Sequence, residues 1–321
     1  KKTGVLVAGY VPELDFWQVG SRHLGLVLPG EIKNLQEQMR QLGDCLEKTL
    51  DVDALLKLGE KADIDALGSV TVTADGSSQK CEAQKNADLV LQNQLSGEKI
   101  SHSAIRIRLG VAWDEAFCFY YRDNLEFLEK QGVQIVRFSP VHDKHLPDDL
   151  DGLLLGGGYP ELYAKALGEN ETIRNEIRRK AEEDMPILAE CGGYLYLLKE
   201  LKDENGTGYE MAGVFSGKGY KKGKNSHFGY ITVQTERDSL YLKAGETIKG
   251  HEFHYWESTQ DENELKMQAK KPTGKRSWPC VTVKNQVMAG FPHLYYPSLE
   301  GFGERFVQAC DRYRMKRKRQ Q

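Results

Sequence analysis

The sequence holds 321 residues, 40% of them apolar and 28% charged, with a formal net charge of −3. That is long enough for one large domain or two ordinary ones, and the balance points to neither nucleic acid nor a membrane surface. No run of about 18 apolar residues occurs, so no spanning helix is expected, and no basic-then-apolar leader opens the sequence.

The first apolar run, residues 4–10, is short and bounded by glycines, and it reads as a buried strand. A helical period follows over residues 31–50, with Leu35, Met39, Leu42 and Leu46 on one face. A shorter helix is expected over residues 52–61, with Asp51 or Asp53 near its start. Residues 68–103 are polar and weakly periodic and read as a linker or surface insertion. Beyond them strand and helix alternate. Strands are expected at 105–111, 133–138, 151–155 and 186–189, and helices at 124–131, 170–183 and 193–201. Such alternation builds an α/β fold, an open, mostly parallel sheet with helices on both faces. Residues 229–234, 247–254 and 280–289 look like antiparallel additions, and 299–312 like a closing helix. The basic cluster at 312–319 reads as a solvated tail.

The six cysteines, Cys45, Cys81, Cys118, Cys191, Cys280 and Cys310, are scattered without a CxxC pair. That spacing argues against a zinc site or a disulfide framework and favours a reducing cytoplasm. Cys191 stands apart by its surroundings. In Ile187-Leu188-Ala189-Glu190-Cys191-Gly192-Gly193 a short buried strand runs into a cysteine, two glycines and a helix. This is the pattern of a nucleophile elbow, and the glycines let a substrate approach the main chain. A helix N-terminus also favours thiolate over thiol. The competing reading is a buried core cysteine beside a tight turn.

A second glycine loop, Gly156-Gly157-Gly158-Tyr159-Pro160-Glu161, ends the strand one crossover earlier. Both loops fall at the carboxyl ends of parallel strands, where ligands bind. The N–H groups of Gly157 or Gly158, with that of Gly192, are candidates for an oxyanion hole. No GxxxxGK[ST] pattern or dinucleotide spacing supports a phosphate loop. A thiol nucleophile needs a base, and His251, His254 and His293 are the candidates; His102, His142 and His145 read as surface residues. No third ligand follows His251 and His254 at a metal-site spacing, so no metal is expected. The residues alone do not choose between His254 and His293.

Together with Gly250-His251-Glu252-Phe253-His254-Tyr255, the two glycine motifs resemble the glutaminase domain of the cobyric and cobyrinic acid amidases, which are class I glutamine amidotransferases with a flavodoxin-like sheet. Trp113-Asp114-Glu115-Ala116-Phe117-Cys118-Phe119-Tyr120-Tyr121 and Arg22-His23-Leu24-Gly25-Leu26 are similar to the cobyrinic acid a,c-diamide synthase branch rather than to cobyric acid synthase. The resemblance implies that Cys191 attacks glutamine and that His293, about a hundred residues later, is its base. Tyr295 stands where a full triad has a glutamate, which fits a Cys–His dyad.

The resemblance further implies a domain at 104–315 with a basic tail at 316–321, preceded at 1–67 by the last part of a P-loop-type domain using ATP and Mg2+. With no P-loop here, that half is expected from a longer chain or another subunit. The implied reaction is amidation of the a- and c-acetates of a corrinoid in cobalamin synthesis, with glutamine as donor. Alternatives are the same diamidation of another tetrapyrrole such as nickel-sirohydrochlorin, the cobyric acid synthase reaction, or a non-catalytic binding domain of this fold. Phe119, Tyr120, Tyr121, Arg22, His23 and His254 are candidates for the substrate side.

Overall fold

The computed structural model describes residues 7–17, 27, 29–60, 107–223, 227–261, 265–274 and 276–320. Arg22, His23, His102, the polar stretch 68–103 and the first part of the strand expected at 4–10 lie outside them. The chain divides into two compact units, Lys1–His102 and Ser103–Gln321.

In the first unit, α1 (Leu35–Thr49) and α2 (Val52–Glu60) follow the expected periods. Asp51 starts α2 as its sequence position suggests: its Oδ1 accepts the Ala54 N–H at 2.9 Å, satisfying one of the open donors of the first turn.

The second unit begins with β1 (Ile107–Ala112), α3 (Arg122–Lys130), β2 (Val133–Phe138) and β3 (Gly152–Leu155). Next come α4 (Ala164–Glu169), α5 (Glu171–Glu182), β4 (Ile187–Glu190) and α6 (Gly192–Leu197). The short strands β5 (Glu200–Lys202), β6 (Gly208–Glu210) and β7 (Lys218–Lys221) lead to β8 (Phe228–Gln234), β9 (Thr247–Phe253) and β10 (Trp256–Ser258). The chain closes through β11 (Leu265–Lys270), β12 (Ser277–Lys284), β13 (Val287–Gly290), β14 (His293–Leu294) and α7 (Phe302–Gln320).

Ten strands form one sheet in the order β14-β9-β8-β11-β12-β13-β4-β3-β1-β2. The run from β13 to β2 is parallel throughout, and the run from β12 to β14 is antiparallel. The expected parallel core with antiparallel additions is therefore present. The segment expected as one strand at 280–289 is instead a hairpin that reverses at Asn285, a residue tolerant of its positive φ of 53°. Its second strand, β13, returns parallel to β4 and puts Gly290 opposite Glu190.

The period of two explains the double-sided core. Leu153, Leu155, Ile187 and Ala189 face one cluster with Ile173 and Ile177 of α5, while Leu154 and Leu188 face another with Phe302, Phe306 and Ala309 of α7. Each such leucine, removed from water, contributes roughly 1.5–3 kcal/mol.

Two expectations need correcting. The helix expected at 193–201 stops at Leu197, because Lys199 pairs with Gly217 and Met211 and leads into a separate sheet of order β10-β7-β5-β6. The basic tail is not wholly solvated either. α7 continues through it, Arg314 is buried, and Arg317 bonds Asp149 and the buried Asp151, the latter at 3.0 Å.

Candidate active site

β4 ends at Glu190 and α6 begins at Gly192, so Cys191 alone makes the turn. Its backbone, at φ 50° and ψ −103°, sits in a region that residues with a side chain rarely adopt. The strain is held by bonds on both sides: Cys191 N–H donates to Gly290 O at 2.8 Å, and Leu195 N–H donates to Cys191 O at 3.0 Å. Gly193 permits the turn's close approach to the neighbouring strand. A Cβ there would lie 2.0 Å from Leu155 O, and its N–H donates to Gly156 O at 2.8 Å. The elbow read from the sequence is thus the observed geometry.

The glycine loop after β3 packs against this turn. A Cβ on Gly192 would stand 3.1 Å from Gly158 N and 2.9 Å from Pro160 Cδ. Two flanking N–H groups are already engaged: that of Gly156 donates to Tyr120 Oη at 2.9 Å, and that of Tyr159 to Ala116 O at 3.0 Å. Gly157 and Gly158 lie between them, next to Gly192.

β14 brings His293 to the same place. Its two residues pair antiparallel with β9, His293 opposite His251 and Leu294 opposite Gly250. The imidazole lies against the glycine loop so closely that a Cβ on Gly157 would be 2.3 Å from its Cε1. His293 Nδ1 is 3.9 Å from Glu190 Oε2, and Glu190 immediately precedes the cysteine. Cys191, His293 and the three glycines therefore form one cluster.

His254 is placed differently. It is buried in the wall, stacked on Phe291 with ring centroids 3.9 Å apart, its Nδ1 2.7 Å from Trp256 O and its Nε2 3.6 Å from Glu252 Oε2. Beyond Tyr194 and Phe291 lies a cavity of about 150 Å³ whose lining includes Lys222, His227, Glu252, Glu257 and Gln260.

The aromatic candidates diverge. Phe119 donates its N–H to Gly157 O at 3.0 Å and sets its ring edge-on to Tyr159. Tyr120 commits its hydroxyl to Ala112 O and Gly156 N–H and stacks on Trp113, so it braces the glycine loop. Tyr121 is exposed and meets Tyr295 edge-on. Phe117, in the same run, belongs to the core.

Electrostatics overturn one expectation. Burial pushes the Cys191 thiol up to about 12, with Glu161 adding to the rise, so the six-residue helix α6 does not make a resting thiolate. Burial lowers His293 to about 4, reinforced by His251 and His254. The resting pair at neutral pH is therefore a neutral thiol and a neutral imidazole. Glu190 is raised to about 8 by burial, against the pull of its bonds from Leu294 N–H and Tyr296 Oη–H.

Sequence reasoning gave Glu190 no role. The available signal was a charged residue closing the otherwise apolar strand Ile187–Glu190.

Residues 108–299 match the family described as the CobB/CobQ-like glutamine amidotransferase domain. Over 308 residues the chain is 34% identical to the cobyrinate a,c-diamide synthase of Caldanaerobacter subterraneus subsp. tengcongensis, covering 96% of this chain and 62% of that protein. The synthase of the same name from Picrophilus torridus is 34% identical over 310 residues, covering 97% and 61%. That of Salmonella typhimurium is 37% identical over 249 residues, covering 78% and 48%. The chain thus spans about three fifths of the length of the first two relatives. With a family match across most of the second unit, around the elbow and glycine loop just described, the chain belongs to the CobB/CobQ-like glutamine amidotransferase family.

Proposed function

We propose that this chain releases ammonia from glutamine through Cys191 and His293, and that within a complete cobyrinic acid a,c-diamide synthase the ammonia amidates the a- and c-acetates of a corrinoid. The observation that carries the glutaminase half is the strained elbow of Cys191 set against the glycine loop on which His293 is packed. The corrinoid half is supported by the relatives' names. In this reading residues 104–315 hold the glutaminase and residues 1–67 belong to the synthetase side.

The chemistry follows from the groups present. His293 takes the Sγ proton as sulfur bonds to the side-chain carbonyl carbon of glutamine, and the carbonyl electron pair moves onto oxygen. In this reading the N–H groups of Gly157 or Gly158, with that of Gly192, receive that oxyanion. The imidazolium then protonates the nitrogen as the C–N bond breaks, leaving ammonia and a thioester. Water gives a proton to His293 and attacks the thioester; the C–S bond breaks, the proton returns to sulfur, and glutamate leaves. Lys222, Glu252 and Glu257 give the nearby cavity charges of both signs, which suits a zwitterionic amino acid.

Amidation of a carboxylate also needs acyl activation, which ATP with Mg2+ supplies. The two described glycine loops do not fit a triphosphate. The sequence has no GxxxxGK[ST] loop, and the two glycine loops are closed by Tyr120, His293 and Pro160. Activation is accordingly assigned to a nucleotide-binding domain or subunit beyond these residues.

The test is glutamate release from glutamine by this chain. C191A is expected to fall to background, and H293A to lose far more than H254A. Equal release by C191A and the wild type would sink the assignment of the nucleophile; the opposite order of the histidines would move the base to His254.

A further inference from the structure

We propose that Glu190 positions His293 and balances the charge His293 gains, making a relay of Glu190, His293 and Cys191 in which acid and nucleophile are adjacent in sequence. The proposal deepens the glutaminase reading and rests on it.

The carboxylate is held from the far side. Its Oε1 accepts from Leu294 N–H at 3.3 Å and from Tyr296 Oη–H at 3.1 Å, both on the segment that carries His293. Its Oε2 is left facing His293 Nδ1 at 3.9 Å. That separation closes to a hydrogen bond by a small rotation in the substrate complex, or through one water. Burial raises Glu190 to about 8, so it is the ionised form, dominant above that pH, that accepts from Nδ1–H and leaves Nε2 for the thiol proton. Tyr295, two residues after His293, cannot supply the acid: its hydroxyl donates outward to Asp123 at 3.0 Å.

The competing explanation is that Glu190 merely ties β4 to β14. A neutral amide oxygen would accept the same two bonds from Leu294 and Tyr296, so the tie needs no charge. What a carboxyl adds beyond an amide is a charge, in its ionised form, that an imidazolium 3.9 Å away would balance. Its surroundings hold no cation among the described residues that would otherwise explain it. Around Glu190 stand Cys191, Tyr120, Tyr121 and Tyr296, and His251 and His254 act on His293.

The decisive experiment compares E190Q in the wild-type and H293A backgrounds, following both glutaminase kcat and alkylation of Cys191 by iodoacetamide, located by mass spectrometry. With His293 present, E190Q is expected to lower kcat at pH 8.5, where Glu190 is ionised, on the order of 10²-fold with little change in KM. Alkylation at pH 8.5 should slow about tenfold, and the acid limb of its pH profile should lose the step that Glu190 contributes. In the H293A background, E190Q should change either rate by less than about twofold, because the residue it acts through is gone. Equal losses in both backgrounds, or no loss in either, overturn the proposal and leave Glu190 a structural tie. Should E190Q fail to fold, E190D carries the same comparison: it keeps the charge but withdraws it, and loss confined to the background containing His293 is again required. Alkylation needs no turnover, so this outcome is separable from failure of the glutaminase reading, which C191A tests alone.

Discussion

His293 and the glycine loop after β3 are a single fitted surface: a Cβ on Gly157 would lie 2.3 Å from Cε1 of His293 and 3.1 Å from its Nε2. The loop proposed to receive the oxyanion therefore also sets where the imidazole stands. Gly157→Ala is expected to push the ring aside while the buried strands on either side hold the fold. A shift of about 1 Å in such a group costs about 10²-fold in rate. Glutaminase kcat should fall by that order while the thermal midpoint changes little; an active G157A chain would show that His293 is not seated on this loop during catalysis.

Cys191 and His293 are both neutral at rest, since burial pushes the thiol up to about 12 and the imidazole down to about 4. Alkylation of Cys191 should accordingly be slow at pH 6 and rise steadily toward alkaline pH. A preformed thiolate–imidazolium pair would instead give a plateau of fast alkylation from mildly acid pH upward, and observing one would contradict the neutral resting state.

Glu190 carries a stability cost with a defined pH range. Burial raises its carboxyl from an ordinary 4.5 to about 8, so the folded chain keeps a proton that the unfolded chain releases. The cost is absent below about pH 4.5, grows as pH rises and is complete above about pH 8. E190Q should be at least as stable as the wild type at pH 8, with the difference shrinking toward pH 5. Urea midpoints across that range test it; a variant less stable at pH 8 than at pH 5, relative to wild type, would reverse the sign.

Arg317 closes a buried acidic site. Asp151 is 1% exposed and accepts from Arg108 N–H at 2.9 Å and from Arg317 Nη2 at 3.0 Å. Removing the guanidinium in R317A leaves the carboxylate with one backbone donor, at a cost of about 1–3 kcal/mol. Denaturant unfolding should show that loss, and D151N should reduce it; additive effects would show that the pair is not coupled.

Gly193→Ala probes the elbow itself. The added carbon would meet the Leu155 carbonyl oxygen at 2.0 Å, a backbone atom that cannot swing away. About 1–3 kcal/mol of destabilisation is expected from such overpacking, read from the unfolding midpoint. Unchanged stability would mean that α6 moves away from β3 easily.

Much of this was legible in the residue order. Alternating apolar strands and helices specify the parallel half of the sheet, because a strand covered on both faces must be apolar along its whole length, as in Ile187-Leu188-Ala189. A cysteine between such a strand and two glycines specifies the elbow, since local backbone geometry follows from neighbouring residues. The hairpin at Asn285, the end of α6 at Leu197 and the anchoring of Arg317 were less legible, for each depends on a partner distant in sequence.

The sequence by itself determined the turn at Cys191, the glycine loop and the family, all of which rest on contiguous residues. Only the tertiary structure decided the rest. It set His293 rather than His254 against Gly157, because β14 pairs with β9 in one register. It made the thiol neutral, because desolvation depends on everything packed around a group. It also placed Glu190 beside a histidine about a hundred residues away, a proximity that no local pattern encodes.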